Sequence, residues 1–227
     1  MSYIQRVKVA EGASGFDTLV GTLINAIKDI TSWTLDSDTN TLNISDNLKL
    51  NIQYDSDGFR CGVSSIGSTV VSENVILFKP SGGIANHIYL NYVKSSDGKC
   101  IAFGFNSFTS TPNEVYINVI IDEDDMGNKS AIMINRTPTT ECKLLYNGYL
   151  CELDFNYIQS GTKVLSTSIC KQPNYLSGSM FKNVYRILSC PLTPTQLYST
   201  VLEVGGKNYQ GVNGGDNSSG SFAISVG

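Results

Sequence analysis

The chain has 227 residues, of which 41% are hydrophobic and only 16% are charged, and its formal net charge is −4. No apolar run approaches the roughly 20 residues that cross a bilayer, and the 16 basic residues form none of the clusters that neutralise nucleic-acid phosphates. The composition therefore argues against membrane and nucleic-acid partners, and a single His and a single Trp also disfavour an enzyme or a bound cofactor.

An amphipathic helix is predicted near the start of the chain. Apolar residues recur with a period of about 3.6 between Phe16 and Ile30, and Asp17 lies in the first turn. A helix of this length is marginal alone. We therefore expect its stripe to pack against the β domain or a neighbouring subunit, and we assign Leu23 and Ile27 to such an assembly contact.

From Trp33 onward the periodicity changes to two, which is typical of antiparallel strands. Gly, Asn, Asp or Ser interrupts the pattern roughly every 8 to 12 residues. Candidate strands cover 32–36, 41–45, 48–54, 59–63, 69–78, 87–94, 100–106, 114–121, 130–135, 142–146, 149–157, 163–170, 183–189, 199–204, 207–212 and 221–226. The predicted fold is mainly β: an antiparallel sandwich or barrel-like domain with one N-terminal helix and a C-terminal β-hairpin module.

Four dipeptides predict tight hairpin turns, because they tolerate positive φ: Asp57-Gly58, Asp97-Gly98, Asn147-Gly148 and Gly205-Gly206. Pro191 and Pro194 break the chain after the body of strands. The predicted organisation is an N-terminal arm and helix over 1–32, an antiparallel β domain over 33–190 and a hairpin module over 191–227.

The C-terminal module carries too few apolar side chains to be stable alone. It must dock either on the main body or, by strand addition, on a neighbouring subunit. The two prolines and the flexible stretch 213–221 favour the neighbour. We therefore assign four of its residues to assembly: Val201, Val204, Tyr209 and Phe222.

The cysteines are predicted to be free thiols. The start of the chain lacks the apolar region of a signal peptide, so we expect folding in a reducing cytosol. No two cysteines have the two-residue spacing of a zinc or redox motif. The six positions are Cys61, Cys100, Cys142, Cys151, Cys170 and Cys190.

Two features of the sequence resemble sites of chemistry, and neither predicts a catalytic or metal-binding residue. The acidic run 122–125 resembles a calcium loop, but Met126 and Met133 occupy positions where ligands are required. An acidic hairpin tip is therefore predicted, with an opportunistic cation site as the alternative. His87, the single imidazole, opens a strand and has no nucleophile motif around it.

Aromatic residues cluster on two predicted hairpins. Core packing and cross-strand pairing account for such clusters, while a face that binds sugars or partner proteins is the alternative. The candidate binding face comprises Tyr89, Tyr92, Phe103 and Phe105 on one hairpin and Tyr146 and Tyr149 on the other.

The last fifth of the chain, residues 181–227, resembles the C-terminal end of structural proteins of tailed bacteriophages and prophages. The similar features are an Asn-Val-Tyr strand, a proline-containing link, an apolar strand, a hairpin with Gly206, Lys207 and Tyr209, and a closing strand with Phe222 and Ile224. The resemblance implies a virion component of the tail, baseplate or head surface, made in the bacterial cytoplasm.

Three functions follow in order of preference. The first is a non-enzymatic virion subunit that contacts itself and other virion proteins, as a closed oligomer of three, five or six copies. The second is a receptor- or glycan-binding module of a phage tip, with a cell-surface glycan as partner. The third is a hydrolase of cell-wall or capsule glycans, which would need two carboxylates that the sequence does not single out.

Overall fold

The computed structural model describes residues 3–10, 16–46, 48–55, 58–64, 73–78, 87–107, 117–123, 127–134, 142–146, 149–152, 163–164, 186–190, 201–212 and 221–227. These residues form one α-helix and three antiparallel sheets, which confirms the predicted mainly-β class with an N-terminal helix. Within them each sheet is open at both ends, so the sandwich is favoured over the barrel. No helix in these ranges is both long and apolar enough to cross a membrane.

The helix and the three sheets have the following bounds. The helix α1 is Phe16–Ile30. The large sheet consists, in order across it, of β1 (Gln5–Ala10), β7 (Ile88–Lys94), β8 (Cys100–Ser107), β9 (Val119–Glu123), β10 (Lys129–Ile134), β11 (Cys142–Tyr146) and β12 (Tyr149–Glu152). The second sheet consists of β2 (Thr34–Asp36), β3 (Thr41–Ser45), β4 (Leu48–Asp55), β5 (Gly58–Ser64) and β6 (Glu73–Phe78). The C-terminal sheet consists of β13 (Lys163–Val164), β14 (Ile187–Cys190), β17 (Ser221–Ser225), β16 (Lys207–Val212) and β15 (Val201–Val204).

The main hydrophobic core lies between the large sheet, the second sheet and α1. Alternate residues of the strands point into it, as their period of two requires. Its fully buried members include Leu19, Leu23 and Ile27 from the helix, Leu42, Leu50 and Phe59 from the second sheet, and Leu90, Phe103, Phe105 and Val119 from the large sheet.

The helix packs within the chain, mainly against β4, so the predicted packing of its stripe against the β body is confirmed. It ends where the Thr31 hydroxyl donates to the Ile27 carbonyl at 3.0 Å and the Thr31 amide donates to the Lys28 carbonyl at 3.2 Å. This turn brings Trp33 into the core, where its ring meets that of Phe103 edge-on at 6.3 Å. The helix is thus held by burial of its stripe, and its end is held by the packing of Trp33 in the same core.

The large sheet is buried on both faces along its central strands. Ala102, Ile120 and Ile132 point away from the main core, yet they are at most 1% exposed. Continuous burial across β8 and β9 is typical of a strand inside a layered structure rather than of a half-exposed one. The C-terminal sheet reaches this second face through Arg186, whose side chain contacts Asp122.

The C-terminal sheet contains strands from both sides of the boundary predicted at 190/191. The strand β17 lies between β14 and β16, and its residues Phe222 and Ile224 pair with Ser189 and Ile187. The support that the hairpin module requires is therefore supplied within the chain by β14. The docking on a neighbouring subunit that the sequence favoured is not needed for this strand.

Two of the predicted turns lie in described residues throughout, and both have the expected backbone. Gly98 has φ of 72°, and Gly205 and Gly206 have φ of 60° and 74°. In the turn at Asp57-Gly58, Gly58 has φ of 121° and Asp57 lies outside the described residues, as does the Asn147-Gly148 turn. The glycines at these turns are required because side chains disfavour positive φ.

Replacing Leu23 with Ala should lower the free energy of unfolding by about 2 to 5 kcal/mol, because it leaves a cavity in the main core. Urea unfolding followed by circular dichroism measures this loss. Asn25→Ala is the matched control, since Asn25 is exposed on the same helix and Ala has the better helix propensity. Equal stability of the two variants would contradict burial of the stripe.

Candidate functional site

The predicted aromatic face is divided by the geometry of the strands. Phe103 and Phe105 are fully buried in the main core, so they cannot belong to a binding surface. Tyr92 packs against the same core and donates its hydroxyl to Gln5 Oε1 at 2.5 Å. Tyr89, three residues earlier, points to the other face, where the Arg6 guanidinium lies 4.2 Å from its ring. The side chains of Tyr146 and Tyr149 lie outside the described residues, although the two are register partners.

The residues assigned to assembly are mostly internal. Leu23 and Ile27 are fully buried in the main core, and Tyr209 and Phe222 are buried in the C-terminal sheet. Burial within the chain removes these four from any contact with a neighbouring subunit. Val201 is half-buried and Val204 is 37% exposed, and both lie on β15 at the edge of its sheet.

The acidic run begins inside a strand rather than at a hairpin tip. Asp122 is a residue of β9, paired with Cys100 and Ser130, and it is buried. Its carboxylate is therefore not presented to a cation from solvent, and 124–126 lie outside the described residues. Within the described ranges no three His, Cys, Asp or Glu side chains are grouped so that they could hold a metal ion.

The single imidazole, His87, lies against an aromatic ring: its ring contacts that of Tyr89 edge-on at 6.1 Å.

The sequence did not predict a buried charged network around Arg186, which directly precedes β14. Its Nε donates to Asp97 Oδ2 at 2.6 Å and its Nη1 donates to the Glu123 carbonyl at 2.6 Å. A weaker bond of 3.4 Å runs from Nη1 to Asp122 Oδ1. Asp97 lies in the turn between β7 and β8, and Asp122 lies on β9. Because Arg186 directly precedes β14, the network joins the large sheet to the C-terminal sheet.

Asp97 is held in place by its own turn. The Ser95 hydroxyl donates to Asp97 Oδ1 at 2.6 Å, the Lys99 amide donates to the same oxygen at 3.1 Å, and the Cys100 amide donates to Ser95 Oγ at 2.8 Å. Partial burial opposes ionisation, but these hydrogen bonds and Arg186 outweigh it and lower the pKa of Asp97 to about 2. Asp97 is therefore the permanent anionic partner of Arg186.

The pKa of Asp122 is shifted in the opposite direction from that of Asp97. Burial is the largest influence and raises its pKa to about 7, although the nearby Arg186 charge and the Glu123 amide act against this. Among the described residues nothing donates a hydrogen bond to its Oδ2. The two carboxyls of the network thus have widely different pKa values: Asp97 stays ionised, and Asp122 holds a proton up to neutral pH.

Two cysteines are described in full, and both are free and buried, as predicted for them. Burial raises the pKa of the Cys61 thiol and that of the Cys100 thiol, and the neighbouring Asp122 charge raises the latter further. Neither is therefore a reactive thiolate. The side chains of the other four cysteines lie outside the described residues.

A cleft of about 470 Å³ lies where the end of α1 meets the hairpin of β7 and β8 and the hairpin of β9 and β10. Its apolar lining includes Ile30, Trp33, Ile101 and Ile121. Its charged lining comprises three lysines and two carboxylates: Lys94, Lys99, Lys129, Asp29 and Glu123. We define these residues, with Thr31 and Ser32, as the lysine cleft.

The three lysines of the lysine cleft differ in whether their ammonium groups form an ion pair. The Lys129 ammonium lies 3.6 Å from Glu123 Oε2 and donates to the Ile44 carbonyl at 3.2 Å. Lys94 and Lys99 are exposed, and in the part of the chain that the structure describes their ammonium groups have no ion pair. The cleft therefore offers two available cations beside an internally neutralised pair. No pattern in the sequence predicts this cleft, because each of these lysines is isolated along the chain.

In comparisons with protein-family models, curated proteins and solved structures, the chain has no match.

Replacing Asp122 with Asn should alter how stability depends on pH. Between about pH 4, where an unfolded Asp ionises, and about pH 7, the native state keeps a proton that the unfolded state has lost. The contribution of Asp122 to the free energy of unfolding therefore falls as the pH rises through this window, by at most about 1.4 kcal/mol per pH unit. In the Asp122→Asn variant this decrease in the free energy of unfolding should be absent.

Urea unfolding at pH values from 4 to about 8 measures the difference. Asp46→Asn is the matched control, because Asp46 is exposed in the turn before β4, and its profile should follow that of the parent. If Asp122→Asn also follows the parent profile, Asp122 is ionised across the whole window and the interpretation of the network is wrong.

Proposed function

We propose that the chain is a non-enzymatic structural protein of a tailed-phage virion, which acts by self-assembly and by contacts to neighbouring tail, baseplate or head proteins. The observation that carries this proposal is the pair of sheet edges at β1 and β15. Each presents an apolar side chain to solvent: Val7 is 41% exposed and Val204 is 37% exposed.

Edge strands favour the addition of a further strand, because one side of their backbone is not used within the sheet. In the described residues β1 pairs with β7 and β15 pairs with β16, and each is the last strand of its sheet. Main-chain hydrogen bonds would supply the affinity of an added strand, and side chains would supply its specificity.

The charges of the two edges are complementary. Arg6 and Lys8 flank Val7 on β1, and Glu203 adjoins Val204 on β15. Basic residues on an edge discourage pairing with an arbitrary strand, whereas a strand that carries a carboxylate such as Glu203 is favoured. We therefore propose that β1 of one copy pairs with β15 of the next. Such a head-to-tail contact closes into a ring when the rotation between copies allows it.

The assignment to a phage is supported by the resemblance of residues 181–227. The elements that carry the resemblance include β14, the hairpin of β15 and β16, and β17, and they form one sheet. The neighbourhood of the coding sequence tests this assignment: genes for capsid and tail proteins are expected on both sides. Neighbours of unrelated function on both sides would contradict it.

Replacing Val7 or Val204 with Lys should weaken self-association about tenfold or more, because a charge would be forced against the added strand. Sedimentation velocity over a micromolar concentration series measures the effect. Tyr54→Lys is the matched control, since Tyr54 is 38% exposed but lies on β4 inside the second sheet. This control should associate like the parent chain.

Mixing the two variants distinguishes the head-to-tail contact from a symmetric one. Val7→Lys keeps an intact β15 edge and Val204→Lys keeps an intact β1 edge, so an equimolar mixture should form dimers and nothing larger. A parent chain that stays monomeric throughout the series would overturn the proposed self-assembly. Loss of association in one variant alone would overturn the pairing of β1 with β15.

A further inference from the structure

The lysine cleft has two chemically different walls. The end of α1 and the segment that follows it contribute Asp29, Thr31 and Ser32, and the hairpin of β7 and β8 contributes Lys94 and Lys99. The first wall presents a carboxylate and hydroxyls beside the negative end of the helix dipole. The second presents two ammonium groups. A ligand that fits both must carry hydrogen-bond donors on one side and an anionic group on the other.

The space between the walls is suited to a ring with an apolar face. Ile30, Ile101 and Ile121 supply the aliphatic lining, and part of Trp33 reaches the cleft although the residue is only 8% exposed. The volume of about 470 Å³ lies within the range of ordinary small-molecule sites. A pyranose ring combines an apolar face with hydroxyls around its rim, so it matches this combination of surfaces.

Two polar groups of the first wall are available for such hydroxyls. Asp29 and Ser32 are exposed, and within the described residues their side chains have no hydrogen-bond partner. Thr31 is already committed, because its hydroxyl donates to Ile27 and accepts from the Trp33 amide at 3.4 Å. Asp29 can accept from two adjacent hydroxyls at once, which a carboxylate does with its two oxygens.

We propose that the lysine cleft binds an acidic saccharide, with the sugar carboxylate between Lys94 and Lys99 and the ring hydroxyls toward Asp29 and Ser32. The neutralised pair of Lys129 and Glu123 also lines the cleft and adds no net charge of its own. This site is separate from the edges β1 and β15, so its occupation does not depend on self-assembly. A neutral sugar would leave the two ammonium groups without a partner.

Trp33 reports occupation of the cleft directly, since it is the single Trp of the chain. Uronate tetrasaccharides, one each built on galacturonate, glucuronate and mannuronate, are titrated into the full chain while the fluorescence of Trp33 is recorded. At least one is expected to give a saturable change that weakens as salt is added. A neutral glucose tetrasaccharide should bind at least tenfold more weakly, and citrate should give no saturable change.

Lys94→Ala and Lys99→Ala should each weaken the uronate complex about tenfold, because each removes one charged partner of the carboxylate. Lys28→Ala is the matched control: Lys28 is exposed on the last turn of α1, and the substitution changes the net charge equally. Circular dichroism verifies that all three variants are folded, as expected for exposed positions.

Four outcomes overturn the proposal: no saturable change with any uronate at millimolar concentration, equal binding of the neutral sugar, equal binding of citrate, or equal effects of Lys28→Ala and the cleft variants. Equal binding of citrate identifies a plain anion site rather than a saccharide site. Because the titration and the sedimentation series use different variants and readouts, failure of one proposal is distinguishable from failure of the other.

Discussion

The guanidinium of Arg186 joins the C-terminal sheet to the large sheet through its contacts with Asp97 and Asp122. Arg186 directly precedes β14, and its side chain reaches the turn that contains Asp97 and the end of β9. Arginine stays charged at every pH that a protein survives, and Asp97 remains ionised beside it. The link therefore persists when Asp122 takes up a proton, so the second face of the large sheet can stay covered while one member of the network titrates.

The helix, the strand periodicity and the glycine turns could be predicted because their signals are local. The stripe from Leu19 to Ile27 and the φ angles of Gly98 and Gly205 follow from a few neighbouring residues. The acidic run could not be interpreted in this way. The sequence ended the strand at Ile121, whereas β9 continues to Glu123 and buries Asp122, because the partner that makes this burial tolerable lies 64 residues away at Arg186.

The surfaces were harder to predict than the strands. Alternation along β8 would normally expose every second residue, but both faces of this strand are covered, so Phe103 and Phe105 are core residues and Ala102 is buried as well. The lysine cleft draws its walls from the end of α1 and from two separate hairpins. Its chemistry depends on how these three segments meet. The residue spacing within any one of them therefore does not predict the cleft.

The connectivity of the strands has a consequence for the order of folding. The strands from β7 to β12 are neighbours both along the chain and across the large sheet, so each pairing closes a comparatively short loop. In contrast, the Tyr3 amide reaches Gln210 Oε1 across 207 residues, and β1 joins β7 across a long insertion that contains the whole second sheet. Long loops cost more entropy to close and form late. The edge at β1 is thus completed after the central meander, so a half-folded chain does not yet present both edges, and premature association during synthesis is restrained.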